Sequence, residues 1–386
     1  MNILFALHNP INSNSGFHVV SLAHELTQLG HDCVIAVPTK DSSEENNADS
    51  EISILDFTET LEACQQETLF RNRKPIDIFH AWTPREVICK FHEAICPAFA
   101  KVTLVHLEDN EEELARAFLG SYRYEQAQAG KADDFPPNLT HPIKGKLFLA
   151  KAQGVTVIID ALKAAVPEGI PTEVIWPAAD DRLFYPRERQ IALYDRYAIQ
   201  KDAITLVYTG NGHAANRQEV RSLYLAVHLL NRRGVKAQLI RTGKDYFVQD
   251  EQYKQWASQY AINLGYLQNR ENFGDLLSLA DVLVQPGKPG LFNDMRFPSK
   301  LPEFFACGRP VVLPRTNIGL VTRHLQDAFV LDNANGPAIA DAVETIIGNP
   351  ELSNTLSKGG RAFYEANLSW RRSAETLANF YQTCRC

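Results

Sequence analysis

A strand-then-helix alternation runs through the first half of this chain, halts at a linker over 177–189, and starts again. In the first half, apolar runs of strand length fall at 3–7, 33–37, 76–80, 102–106, 155–159 and 174–176. Between the first two lies 16–29, where Val19, Val20, Ala23, Leu26 and Leu29 recur at helical spacing and Gly30 ends the run. A short helix is expected at 161–166 and an acidic surface loop at 41–50. In the second half, strands are expected at 204–208, 238–241, 282–285, 311–313 and 328–331. Helices are expected there at 219–231, 253–260, 337–347, 352–364 and 370–381. Strands alternating with helices imply a parallel sheet covered on both faces. Two such series imply two doubly wound α/β domains in tandem, with ligand crevices at the carboxyl ends of their strands facing a shared cleft.

Composition sets the outer limits. A chain of 386 residues is long for one core and suits two. No apolar stretch approaches the ~18 residues of a membrane span. The start, MNILFALHNP, lacks a basic flank and reads as a buried strand rather than a signal peptide. The 7 cysteines are scattered, without a CxxC pair, which points to a reducing cytoplasm and away from a zinc site. Residues 1–178 carry a net charge of −11 and the remainder +4. A mildly basic second half suits an anionic ligand such as a nucleotide. An acidic first half is a poor surface for nucleic acid or for an anionic membrane, leaving at most weak peripheral membrane contact.

The densest functional signal is RFPSKLPEFFACGRPVVLP at 296–314. A polar loop over 293–299, broken by Pro298, precedes Leu301, Phe304 and Phe305 at helical spacing, and Cys307-Gly308 ends that helix. A helix start offers N–H groups and a positive dipole end to an anion such as diphosphate. Lys300 adds a mobile cation there, with Glu303 one turn further in. Elsewhere, His106-x-Glu108-Asp109 ends a strand, where ligands gather. His106 reads equally well as a hydrogen-bonded core histidine; Trp82 reads as packing, and His80 stays open. Asp245 and the acids 111–113 read as solvated surface.

Several stretches, taken in order, resemble the GT-B retaining glycosyltransferases of the glycosyltransferase family 4 (group 1) type. They are LAHELTQLGHDCVIAVP (22–38), DIFHAWTPR (77–85), KVTLVHLED (101–109), IWPAADDRLFYP (175–186), LVYTGNGHAAN (206–216), LLSLADVLVQPG (276–287) and the 296–314 segment. SWRRSAETLANFY (369–381) resembles the family's last helix, which crosses back to the first domain. The resemblance implies a Rossmann-like acceptor domain over 1–178, joined by the helix 369–386, and a Rossmann-like nucleotide-sugar donor domain over 179–368. It also implies a metal-independent hexosyltransferase of carbohydrate biosynthesis, cytoplasmic, without a cofactor. The nucleotide-sugar, with UDP or GDP in first place, is a substrate, and the acceptor is a glycan, glycolipid or small molecule.

Site residues carry over one at a time. Gly16 matches a glycine that lets backbone approach the donor phosphate, and His106 a histidine that contacts the sugar or positions the acceptor. Glu303 matches the second glutamate of the family's E-x7-E motif, which binds ribose hydroxyls. Ser299 and Lys300 match a P-x-K subgroup beside the diphosphate, and Arg296 adds a cation. The first E-x7-E position is Met295, so Asp294 is the carboxylate expected to meet the sugar. The catalytic set is thus His106, Glu108 and Asp294. Gly210 and Asn211 stand in the first loop of the second domain, where the family usually carries an arginine, and Arg217, Arg221 or Arg241 would supply the charge. The base is expected to meet backbone at 265–267.

Three alternatives stay open. Gly210-x-Gly212-x-x-Ala215 fits a dinucleotide fingerprint, and Arg241 ends the next strand, placed for a 2′-phosphate, as in an NADP-dependent oxidoreductase. Met295 and the missing cations suit a catalytically degenerate GT-B protein that binds nucleotide or glycan. A GT-B sugar epimerase is the third.

Overall fold

The computed structural model describes residues 1–40, 52–131, 134–267 and 271–385, so the loop expected at 41–50 lies outside it. The chain divides into two compact units: Met1–Pro177 with Met295–Phe297 and Trp370–Cys386, and Ala178–Asp294 with Pro298–Ser369. The division groups 295–297 with the first unit, whereas the sequence placed them in the second.

The first unit holds a seven-stranded parallel sheet in the order β3-β2-β1-β4-β5-β6-β7. Its strands are β1 (Asn2–Leu7), β2 (Asp32–Val37), β3 (Ser53–Asp56), β4 (Ile76–Trp82), β5 (Ala100–Leu107), β6 (Gly154–Val157) and β7 (Thr172–Val174). All six residues of β1 are buried, as a central strand covered on both faces must be. The helix Asn14–Gln28 begins where Ser13 accepts the Gly16 N–H and buries Val19, Leu22, Ala23 and Leu26. Each such aliphatic side chain contributes about 1.5–3 kcal/mol on burial. The final helix, Trp370–Arg385, belongs to this unit and packs on Asn14–Gln28. The helix expected at 161–166 is 3₁₀, Asp160–Ala165. Between β5 and β6 stand the helices Glu111–Leu119 and Ser121–Gln128, the first capped by Asn110.

The second unit holds a six-stranded parallel sheet in the order β10-β9-β8-β11-β12-β13. These are β8 (Ile204–Tyr208), β9 (Ala237–Arg241), β10 (Ala261–Asn263), β11 (Val282–Val284), β12 (Val311–Pro314) and β13 (Phe329–Leu331). The helices Arg217–Arg232 and Gly336–Ile347 pack together over one face. The chain is therefore α/β, with two doubly wound parallel sheets. In each sheet the strand order reverses beside the first strand, at β1/β4 and at β8/β11. Ligands of such sheets bind at that reversal, outside the carboxyl ends. No helix among the described residues is long and apolar enough to cross a membrane.

Candidate functional site

In the second unit, β8 ends at Tyr208 and β11 at Val284, so Gly210 and Gln285 stand together at the reversal. Lys300 reaches this point from the start of the helix Lys300–Ala306. Its ammonium donates to Gln285 Oε1 at 3.4 Å and lies 4.7 Å over the Tyr208 ring. Gly210 has φ +131°, and a Cβ there would lie 3.2 Å from the Lys300 Nζ. The sequence linked neither Tyr208 nor Gln285 to the lysine, because register alone brings them beside it. The helix has only seven residues and Ser299 makes no side-chain cap, so its dipole is a minor term beside the lysine charge. Glu303 lies half-buried one turn in, where with burial it helps push the Cys307 thiol up to about 12.

Other expected donor residues are committed elsewhere. Arg241 is buried and donates to Asp245 at 2.8 Å and to Tyr224 at 2.9 Å. Burial opposes its charge, but Asp245 and Tyr224 outweigh burial and raise its pKa. This corrects one expectation, since Arg241 is not aimed at a ligand phosphate; Asp245 is exposed, as expected, but paired. Arg221 is likewise bound, to Asp250 at 2.9 Å. Asn211 takes the Lys244 N–H at 2.9 Å on its side chain and the Asn216 amide on its carbonyl. Asp294 ends the helical turn Leu291–Asp294, which the sequence showed as loop. One of its carboxylate oxygens accepts the Gly290 N–H at 3.0 Å and the other the Thr316 hydroxyl. In this arrangement Asp294 braces its own loop and does not face outward to a sugar.

The first unit brings together a second cluster at the β1/β4 reversal. Register explains it: Leu7 pairs with Trp82, Trp82 with His106, and His106 with Thr156, so these side chains share one face. Trp82 and His106 stack at 3.9 Å between ring centres. Thr156 Oγ1 lies 2.8 Å from His106 Nδ1 and 3.0 Å from His80 Nε2, and Tyr381 OH lies 2.7 Å from His80 Nδ1. His80 thus belongs to the buried support of this row, a question the sequence left open. His106 is 1% exposed and its Nε2 has no hydrogen-bond partner. Burial pushes its imidazole down to about 3, so it is neutral. A histidine sealed in this way does not support the expected direct contact with sugar.

Glu108 is the hub. It accepts the Trp82 indole N–H at 2.7 Å and the Ser15 hydroxyl at 2.5 Å, with His18 Nδ1 3.4 Å away. Burial pushes against its ionised form, but His18 and the Ser15 hydroxyl hold its carboxyl well below the usual carboxylate range. Asp109 behaves oppositely: burial, then Glu111 and Glu108, push it up to about 6, while Arg85 and Arg296 pull it down. Arg296, grouped with this unit, is therefore a neighbour of Asp109. Glu111 is buried and paired to Arg85 at 3.2 Å, which corrects the expectation of a solvated run at 111–113. Gly16 serves the loop before it: its N–H goes to Ser13, and a Cβ would lie 2.1 Å from the Ile11 carbonyl oxygen. Thr83, after β4, has φ +79°, a strained conformation for a β-branched residue.

Sequence reasoning missed Ser15, His18 and Arg85 and took Trp82 for packing. The available signal was Ser15 and His18 one turn apart at a helix start, directly after the first strand. Among the described residues no group of three His, Cys, Asp or Glu is placed to hold a metal ion.

Comparison with known proteins bears on the fold of the chain and, through one family model, on part of the second unit. Residues 203–349 match the family model described as "Glycosyl transferases group 1". No curated protein matches the chain. Among solved structures, sucrose-phosphate synthase from Thermosynechococcus elongatus superposes with a TM-score of 0.71 at 17% identity, over 99% of this chain and 98% of that one. HepE from Anabaena, in complex with UDP and glucose, gives 0.70 at 12% identity, over 99% and 100%. TarM from S. aureus, in complex with fondaparinux, α-GlcNAc-glycerol and UDP, gives 0.65 at 9% identity, over 98% and 99%. At these identities the likeness is one of fold.

Proposed function

We infer that this chain, a GT-B glycosyltransferase with a group 1 domain over residues 203–349, moves a sugar from a nucleoside-diphosphate sugar to an acceptor hydroxyl. The second unit takes the donor and the first the acceptor. The observation that carries the donor half is Lys300 at the β8/β11 reversal, beside Gly210 and Gln285. A diphosphate needs a cation in a partly desolvated corner, and charge builds on it as the sugar departs. UDP is the first choice of nucleotide, since HepE and TarM were solved with UDP, and GDP the second. Glu303 is the proposed ribose partner, and backbone near Gly265 the proposed partner of the base.

The proposed reaction retains configuration and uses no metal. The bond from the anomeric carbon to the diphosphate breaks, and a bond to the acceptor oxygen forms on the same face. The acceptor proton passes to a phosphate oxygen of the leaving group, so no hydrolase-type carboxylate pair is required. The acceptor is a glycan, a glycolipid or a small molecule. Cys33, Cys64, Cys89, Cys307 and Cys384 are free thiols, and we place the chain in a reducing cytoplasm.

Thermal-shift titration with UDP, GDP and ADP, followed by assay of UDP-sugar hydrolysis, tests this function. A shift with a nucleoside diphosphate and slow donor hydrolysis are expected; absence of both would overturn it. A second reading, nucleotide binding without turnover, draws support from the Asp294 carboxylate being tied to Gly290 and Thr316. A thermal shift with no hydrolysis or transfer would favour it.

A further inference from the structure

A cavity of about 390 Å³ opens at the amino-terminal end of β4, the opposite end from Trp82. The last turn of the helix Phe57–Gln65 and the end of the helix Glu86–Phe99 supply two of its sides, and the loop 66–75 the third. Its floor is apolar: Cys64, Leu69, Phe70 and Ile76 are buried, and Phe99 is half-buried. Its mouth is charged, because Glu67, Arg73 and Lys74 also line it and are exposed. The volume falls within the roughly 300–1,000 Å³ of small-molecule sites. It is more than twice the roughly 150 Å³ that admits a benzene ring.

The loop that forms the mouth is held in place. Asn2, buried at the start of β1, and Asn72 exchange side-chain amides at 2.8 and 2.9 Å. Asn2 also donates to the Lys74 and Pro75 carbonyls at 2.9 and 3.1 Å. The Lys74 N–H goes to the Asn72 side chain and the Arg73 N–H to the Phe70 carbonyl, each at 2.9 Å. Glu67 and Arg73 have φ of +55° and +54°, a conformation that residues other than glycine keep only where surrounding contacts impose it. The cavity is therefore set before any ligand arrives.

The charges at the mouth are uncommitted. Residues 1–178 carry a net charge of −11, so acids to pair with are plentiful. Yet the side chains of Arg73 and Lys74 have no ion-pair or hydrogen-bond partner among the described residues, and neither has Glu67. Two cations against one acid leave one positive charge in excess, above an apolar floor. A guanidinium fork matches a carboxylate in geometry as well as in charge.

We propose that this cavity binds a small amphipathic carboxylate, with an apolar body of about eight carbons against Phe70, Ile76 and Phe99 and its carboxylate at Arg73 and Lys74. The site lies away from the carboxyl ends of the sheet and does not depend on the glycosyltransferase reading.

The full chain is titrated calorimetrically near neutral pH with octanoate, 1-octanol and octylamine, which share one chain and differ in head-group charge. The expected result is saturable binding of octanoate, at least about tenfold tighter than either of the others. The Arg73→Glu, Lys74→Glu double variant removes no described side-chain contact and should reverse the order, with octylamine the tightest. Two measurements locate the ligand. Ala63→Phe, with folding checked by circular dichroism, places a ring in the cavity and should abolish octanoate binding. Octanoate should also slow alkylation of Cys64 by iodoacetamide, read by peptide mass spectrometry, and leave Cys89, which does not line the cavity, unchanged. Absence of saturable octanoate binding overturns the proposal, as does equal binding of the three compounds or a preference that survives charge reversal. Octanoate binding that persists in Ala63→Phe and leaves Cys64 alkylation unaltered places the ligand elsewhere and overturns it too.

Discussion

Trp82 gives its indole N–H to Glu108 at 2.7 Å, so a residue that ends β4 fixes a carboxylate just past the end of β5. The two lie on the strands next to the sheet's reversal point, where a ligand approaches. The carboxylate is held by Trp82, Ser15 and His18 together, so its direction is set before any ligand arrives. Trp82→Phe keeps the ring on His106 and removes one donor. The expected loss is about 1.5–3 kcal/mol, the usual worth of a hydrogen bond to a charged group, read by urea denaturation. A loss within error would show that the bond contributes nothing to the unit.

Thr156 bridges two buried histidines through one hydroxyl. Thr156→Val keeps the shape and leaves a nitrogen on each ring unpaired. The expected cost is about 2–4 kcal/mol, with Thr156→Ser restoring most of it. A Val variant as stable as the native chain would mean that the relay is not closed in solution.

Lys300→Ala should weaken UDP binding by roughly ten- to a hundredfold while leaving uridine binding nearly unchanged, because its partner is phosphate. Gly210→Ala should reproduce this selectivity without touching the lysine. It places a Cβ 3.2 Å from Nζ and forces a residue with φ +131° into strain, at a further stability cost of about 1–3 kcal/mol. Calorimetric titration of UDP and uridine in parallel makes the comparison. Equal losses for both ligands would remove the lysine from the diphosphate.

Arg241→Met should behave differently. It removes the bonds of the buried guanidinium to Tyr224 and to the exposed Asp245, and a loss of about 1–3 kcal/mol in stability is expected. UDP affinity of the folded fraction should be unchanged. A selective loss of nucleotide affinity with normal stability would restore Arg241 to the donor site.

The acid limb of stability offers a signed test. Asp109 has its carboxyl raised from 3.8 to about 6, so the folded state holds that proton more tightly than the unfolded chain. Its contribution to stability is greatest below about pH 4, falls as pH rises to about 6, and is constant above. His8 and His106, lowered from 6.5 to about 4 and about 3, act with the opposite sign, and stability is lost as pH falls through that range. Asp109→Asn removes only the first slope. The stability of the native chain minus that of the variant should therefore fall between pH 4 and 6 and then level. A difference that rises with pH would contradict the assigned environment.

Much of the architecture was legible because burial imposes period and length. The apolar run 204–208 is β8 as expected, and the alternation of strands with helices fixes a parallel sheet. Ser53–Asp56 and the helices Glu111–Leu119 and Ser121–Gln128 were not read. The first is a short edge strand with little burial and Ser121–Gln128 is mostly polar, so neither leaves a hydrophobic period, whereas Glu111–Leu119 carries Leu114, Ala115, Phe118 and Leu119 at a helical spacing that was passed over.

The site divides along the same line. Lys300 was visible in sequence because a cation at a helix start after a strand has a recognisable local context. The fates of Arg241, Asp294 and His106 were not, because each depends on a partner or a stacking neighbour that local context does not reveal. Arg241 is cancelled by Asp245, four residues on, only because the loop after β9 turns back. Asp294 is bound to Thr316 across 22 positions, and His106 is sealed by Trp82 on the neighbouring strand and held by Thr156 50 positions away. Residue type and period, which are local, determined the two α/β units and named a charged segment. Strand register and loop return, which are set by long-range packing, decided which of those charges are already paired and which still face the carboxyl ends of the sheets.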